Sequence, residues 1–177
     1  YRQSDLVIGC LDNTAARSQV GISCALTGVP YLDGGMWGLG GEVRWFPPGE
    51  SACFECTLSD ADRQRAFERR SCTGFRLDDS SSSHAPIPTT INTAAIIGGL
   101  LSQEAARFLC GWEVVGGEAL VYNGLSRKMH RASLKRNPKC TYHSPYRDVV
   151  ELDRSANELT GEALLKLAKK SLGGRPI

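Results

Sequence analysis

The run Asp5-Leu6-Val7-Ile8-Gly9-Cys10-Leu11-Asp12, followed by Asn13-Thr14, carries the clearest architectural signal in the chain. Its near-continuous apolar stretch reads as a strand buried on both faces, as in a parallel sheet. Asp12-Asn13-Thr14 then reads as a turn and a helix N-cap. Residues 14 to 27 carry Ala15, Ala16, Val20, Ile22, Cys24, Ala25 and Leu26, a helix with a face of small residues, stopped by Gly28 and Pro30. Tyr31-Leu32-Asp33 is the next short strand. The first 33 residues are therefore expected to form strand, helix, strand, the βαβ unit of an α/β fold. In open α/β sheets ligands sit beyond the carboxyl ends of strands, which is where Asp12 and Asn13 fall. A carboxylate there can hold a magnesium ion on a nucleotide phosphate. Position alone leaves a plain helix cap equally open.

A second signal is Cys53-Phe54-Glu55-Cys56. Two thiolates at this spacing grip one ion and leave two coordination positions, which Cys140-Thr141-Tyr142-His143 completes as a Cys-x-x-His pair. Cys53, Cys56, Cys140 and His143 make one of the standard closed tetrahedral zinc sets. Such an ion would clasp a loop near residue 55 to one near residue 142. A Cys-x-x-Cys by itself is also compatible with redox use.

Between and beyond these signals the chain reads as alternating elements. Gly34 to Gly41 matches neither a dinucleotide fingerprint nor a P-loop and is expected to be a tight strand-to-strand connection. Glu42 to Phe46 alternates as a strand and stops at Pro47-Pro48. Residues 59 to 71 are densely charged and read as a solvated short helix or loop. The tract from Asp78 to Pro86, with serine at positions 80 to 83, is a loop expectation. Cys72 stands at its start, close after Arg69 and Arg70. Positive charge favours the nucleophilic thiolate, although a surface cysteine without a role fits as well. Residues 91 to 110 form a helix apolar around most of its circumference, expected to be central. Gly98-Gly99 within it suggests close contact with another backbone. Residues 119 to 122 and 128 to 134 read as strands joined by a hairpin turn, and His130 as an ordinary strand residue. After residue 146 a strand at 149 to 152 and a helix capped by Thr160 read as an extension, 147 to 177, that begins a second small domain.

The totals bound the function. A chain of 177 residues with 41% apolar and 23% charged residues is that of a soluble globular domain. Formal net charge is +2, and no basic run appears, which argues against nucleic acid as a partner. No stretch is apolar enough for a bilayer span, and none reads as a signal peptide. Of seven cysteines, three go to the zinc set. Cys10, Cys24, Cys72 and Cys110 remain as free thiols, which points to a reducing, cytoplasmic compartment. The chain opens on Tyr1 without methionine and closes on Pro176-Ile177 just past a helix stop, so a fragment is expected.

The order of these features resembles the ThiF/MoeB/HesA and ubiquitin-activating-enzyme-like adenylating enzymes. The matching segments run from "DLVIGCLDNTAARSQV" through "GVPYLDGG", "GEVRWFPPGESACFEC", "SCTGF", "PTTINTAAIIGGLLSQEAARFL" and "YNGLSRKM" to "RNPKCTYH", over roughly residues 3 to 143. The resemblance implies a Rossmann-like mixed sheet with helices on its faces, residues 1 to 146 being the C-terminal portion of an adenylation domain. It implies binding of ATP and magnesium and adenylation of the C-terminal carboxylate of a ubiquitin-like or sulfur-carrier protein, with release of pyrophosphate, usually by a homodimer. Asp12 falls on the aspartate that serves the magnesium and phosphates, and Asn13 and Arg17 belong to the same D-N-x-x-x-R motif, so the resemblance implies Asp12, Asn13 and Arg17 as the nucleotide-binding residues. Cys53, Cys56, Cys140 and His143 fall on the structural zinc ligands, His143 where cysteine is commoner. Cys72 falls on a cysteine that accepts the acyl group in some members and is dispensable in others. The family's glycine-rich nucleotide loop, and the arginine and lysine that contact the phosphates, would precede this segment. On that reading the isolated chain does not catalyse adenylation. Two other functions fit parts of the pattern: a zinc-stapled adaptor or pseudo-enzyme half that binds a ubiquitin-like protein, and a dinucleotide-dependent oxidoreductase, for which the fingerprint is missing.

Overall fold

Five strands form one mixed sheet in the order β1-β2-β3-β4-β5. The structure, a computed structural model, describes residues 1–49, 51–66, 88–143, 152 and 155–171. Cys72, the serine tract and most of the predicted strand at 149 to 152 lie outside them. The chain divides into two compact units, Tyr1–Pro145 and Tyr146–Ile177.

The predicted βαβ unit is present. β1 (Val7–Gly9) pairs parallel with β2 (Tyr31–Trp37), Val7 opposite Tyr31 and Gly9 opposite Asp33. Helix α1 (Thr14–Thr27) connects them. Its signals are local: the Asn13 side chain accepts from the Ala16 N–H at 2.8 Å, and Gly28 closes the helix in the left-handed conformation. β2 pairs antiparallel with β3 (Gly40–Phe46), which pairs antiparallel with β4 (Glu118–Asn123), and β4 with β5 (Lys128–Ser133).

Alternation along β2 and β3 sorts the core into two layers. Leu32, Val43 and Trp45 face helix α3 (Ile91–Leu109) and pack with Ile97, Leu101 and Ala105. Tyr31 and Phe46, opposite one another in register, turn the other way and pack with Cys24 of α1 and Phe54. Phe54 opens a 3-10 turn, Phe54–Thr57, that carries the first pair of cysteines. A short helix α2 (Asp60–Ala66) follows it.

The glycine-rich run departs from expectation only in extent. The tight strand-to-strand connection is present but narrower: Gly34 and Gly35 lie within β2, Gly40 and Gly41 within β3, and only Gly38-Leu39 turn. Helix α3 is the reason. A Cβ on Gly34 would collide with the Leu101 side chain, and one on Gly41 would stand 2.6 Å from Ile97 Cγ1. The glycines let the helix lie on the sheet. Gly98 and Gly99 are the converse case, since a Cβ at either meets nothing within 4 Å. Nor is α3 buried all round. Thr93, Ile97, Leu101 and Ala105 are its buried residues, while Ile91, Ile96 and Leu109 are exposed.

The second unit contributes a 3-10 turn (Ala156–Glu158) and helix α4 (Gly161–Ser171), with Leu164 and Leu165 exposed. No helix among the described residues is long and apolar enough to cross a membrane.

Candidate metal clasp and strand-end site

Cys53 stands at the N-cap of the 3-10 turn and Cys56 within it, and the Cys56 N–H donates to the Cys53 carbonyl at 3.0 Å. Three side chains hold this turn. Phe54 is buried against Tyr31 and Phe46. Glu55, also buried, accepts from the Ser18 hydroxyl of α1 and from Arg63 of α2, the latter at 2.8 Å. Thr57 donates to the Phe54 carbonyl at 2.7 Å and accepts from Arg44 at 3.3 Å.

The other half, Cys140 and His143, follows 87 residues after Cys53 and Cys56 respectively, and Asn137 organises it. Its side chain accepts from the Lys139 N–H at 2.9 Å, and its carbonyl accepts from the Cys140 N–H at 3.0 Å. The two halves meet. The Cys53 sulfur lies 3.7 Å from that of Cys56 and 3.6 Å from that of Cys140, and the Cys56 sulfur lies 3.4 Å from His143 Nε2 and 3.8 Å from Nδ1. One donor atom from each of the four residues falls within 4.8 Å of the others.

These separations test the donor set. With bonds of about 2.3 Å to sulfur and about 2.0–2.1 Å to nitrogen, a tetrahedral centre has S···S edges of about 3.8 Å and S···N edges of about 3.5 Å. The two sulfur–sulfur edges, 3.7 and 3.6 Å, and the 3.8 Å from the Cys56 sulfur to His143 Nδ1 are close to these values, so Cys53, Cys56, Cys140 and His143 could hold a metal ion. Burial pushes the Cys53 thiol well above its ordinary range, and the neighbouring Cys56 and Cys140 sulfurs push it further. Thiolates gathered this closely need a cation among them. His143 Nε2 also lies 3.1 Å from the Asn137 carbonyl. A ring nitrogen donating to a carbonyl leaves the other nitrogen for the ion.

The other predicted residues gather at the carboxyl end of β1. Asp12 is exposed there, next to the N-cap. The Asn13 side chain uses both ends, Oδ1 capping α1 and Nδ2 donating to Asp12 Oδ1 at 3.1 Å. Arg17, in the first turn of α1, points to Asp33. It donates from Nε to Oδ1 at 2.9 Å and from Nη2 to Oδ2 at 2.5 Å. Asp33 is fully buried and also takes hydrogen bonds from Tyr31 at 2.9 Å and from Arg44 Nε at 3.2 Å, with Arg44 Nη2 at 2.9 Å. Burial opposes the charge on Arg17, yet the Asp33 hydrogen bond and charge together raise its pKa. Sequence reasoning missed Asp33, Arg44 and Glu55. The available signal was a carboxylate in a strand and another inside the Cys-x-x-Cys, at positions the fold was bound to bury.

Residues 1–142 match the ThiF family, and the chain belongs to that family. Among curated relatives, ubiquitin-like modifier-activating enzyme 5 of Dictyostelium discoideum is 29% identical over 143 residues, which is 77% of this chain and 34% of that protein. The chain thus spans about a third of the length of the curated relatives it matches. Among solved structures, Escherichia coli MccB is similar with a TM-score of 0.58 at 15% identity, over 85% of this chain and 42% of that one. MccB with ATP is similar with a TM-score of 0.57 at 16% identity, over 79% and 39%. At these identities the structural likeness establishes the fold: a mixed α/β domain of the ThiF and MccB kind, with a candidate Cys/His metal site.

Proposed function

We propose that the protein carrying this chain activates the C-terminal carboxylate of a ubiquitin-like or sulfur-carrier protein, or of a comparable peptide, by adenylation with ATP. The observation that carries this reading is the pairing of family membership with the Asp12-Asn13 turn at the carboxyl end of β1. A carrier carboxylate is a poor electrophile. Its attack on the α-phosphorus of ATP forms an acyl adenylate, and pyrophosphate leaves. The protein's part is positioning and charge neutralisation. Asp12 would hold magnesium, which screens the phosphate charge, and Asn13 would fix the Asp12 carboxylate and cap α1. In this reading the ion in the Cys53/Cys56/Cys140/His143 clasp is zinc, and its role is structural. The exposed Ile91, Ile96 and Leu109 of α3 support a homodimer, and the free thiols a cytoplasmic location.

Cys72 would then be an acyl acceptor: its thiolate attacks the adenylate carbonyl, a thioester forms and AMP departs. The test is direct. The full-length protein with ATP, magnesium and a candidate carrier is expected to yield a carrier mass increased by one AMP, and a thiol-labile carrier adduct that disappears in Cys72→Ser. A folded, metal-loaded protein that forms no adenylate with any carrier would favour a binding adaptor instead. An undiminished adduct in Cys72→Ser would remove Cys72 from the chemistry.

A further inference from the structure

Of the D-N-x-x-x-R motif, only Arg17 commits its side chain to the interior. Its fork takes both oxygens of Asp33, the remaining lone pairs of which are met by Tyr31 and Arg44. The guanidinium lies flat on β2, so that a Cβ on Gly35 would stand 2.5 Å from Nη2. From Arg17 an unbroken series of bonds leads back to the strand end. Its own N–H closes the first turn on the Asn13 carbonyl at 3.2 Å, and the Asn13 amide holds Asp12. Ser18, the next residue, pins the same helix to Glu55 of the metal turn.

We propose that Asp33 is a positioning residue and that Arg17 acts through it, seating the first turn of α1 so that Asp12 meets the metal–nucleotide, without Arg17 itself touching a phosphate. This rests on the proposed adenylation and departs from the nucleotide-binding role that family resemblance implies for Arg17. The two roles make different demands on the side chain. A direct phosphate contact by Arg17 would not need Asp33, whereas a positioning role makes the two interdependent, because the bidentate hold requires both the planar fork and the buried carboxylate.

The experiment is a titration of the full-length protein with manganese–ATP, read as affinity and as the electron paramagnetic resonance spectrum of the bound ion. Arg17→Lys, Asp33→Asn and the double variant are compared with wild type and Asp12→Asn, each checked for unchanged zinc content. Arg17→Lys and Asp33→Asn are expected to weaken binding by at least about tenfold each. The double variant is expected to be no worse than the weaker single one, and the bound spectrum to move towards that of Asp12→Asn. Should Asp33→Asn fail to fold, Asp33→Glu, which keeps the charge but moves the carboxylate, takes its place in the single and double variants. Affinity within twofold of wild type in Arg17→Lys, or in a folded Asp33→Asn, would overturn the proposal. Wild-type protein that binds no manganese–ATP would defeat the proposed adenylation, and the positioning role with it. Non-additive urea midpoints for the two variants would then still identify Arg17 and Asp33 as a pair, separating that failure from one in the pairing itself.

Discussion

Asp33 bears two arginines and a tyrosine hydroxyl with no contact to water. A buried ion pair is weak support for net stability, because desolvation offsets attraction, but removing one partner strands the other charge. Asp33→Ala is therefore expected to cost about 3–5 kcal/mol by urea denaturation. Glu42, 3.2 Å from Arg44, brings the local charges near balance. A loss under about 1 kcal/mol, the scale of an exposed ion pair, would show that the cluster is solvated. Cys24 gives a pH prediction. Burial raises its thiol from the ordinary 9.0 to about 11. The unfolded chain releases this proton first as pH rises, so the contribution is complete below about pH 9 and is lost on the way to about pH 11. Two units correspond to up to about 2–3 kcal/mol. Cys24→Ala is expected to be less stable at pH 7 and to show a flatter decline in urea midpoint across that interval. An unchanged slope would place the titration elsewhere, for instance in Tyr31, which burial and then Asp33 also raise.

At the scale of elements, the seat of α3 on the sheet depends on two missing side chains. Gly41→Val places branched atoms where Ile97 sits and is expected to cost about 1–3 kcal/mol by overpacking. Gly98→Ala, on the open face, is expected to be neutral or to stabilise by up to about 1 kcal/mol, since glycine disfavours helix. Thermal melts of the two variants order these effects, and a Gly98→Ala loss as large as that of Gly41→Val would mean that another chain covers that face. The tip of the β2–β3 hairpin is tied to the start of the same helix, Gly38 donating to the Pro88 carbonyl at 2.6 Å and accepting from Thr93 at 3.2 Å. Strand β1 and helix α1 were legible as elements because their signals are local: an apolar run, an asparagine cap, a glycine stop. Burial of β1 on both faces was not borne out among the described residues, where it is the outermost strand and Ile8 is exposed. The connection within Gly34 to Gly41 was legible but read too wide, because glycine in a strand looks like a turn until the helix that needs it is in place. Helix α3 was read as central from its composition, and only packing shows which face is covered.

For the whole molecule, the clasp joins the segment after β3 to the segment after β5, positions 53 and 140. Its four donors were legible because ligand spacing is chemistry written locally, while Asp33 was not, because its partners lie 11 and 16 residues away and nothing in the strand announces them. Metal analysis is expected to give about one zinc per chain. Cys56→Ser or Cys140→Ser should lose it and lower the melting temperature, at roughly 2–4 °C per kcal/mol for a chain of this size. An unaltered melt on chelation would deny the ion a structural role. The most direct test of the account is ATP–pyrophosphate exchange by the full-length protein. Exchange is predicted to appear when a carrier with a free C-terminal carboxylate is added, and to fall at least about a hundredfold in a folded Asp12→Asn, as expected when transition-state charge stabilisation is lost. Exchange at the wild-type rate in Asp12→Asn, or none in folded, zinc-loaded wild type across the carriers tried, would contradict it.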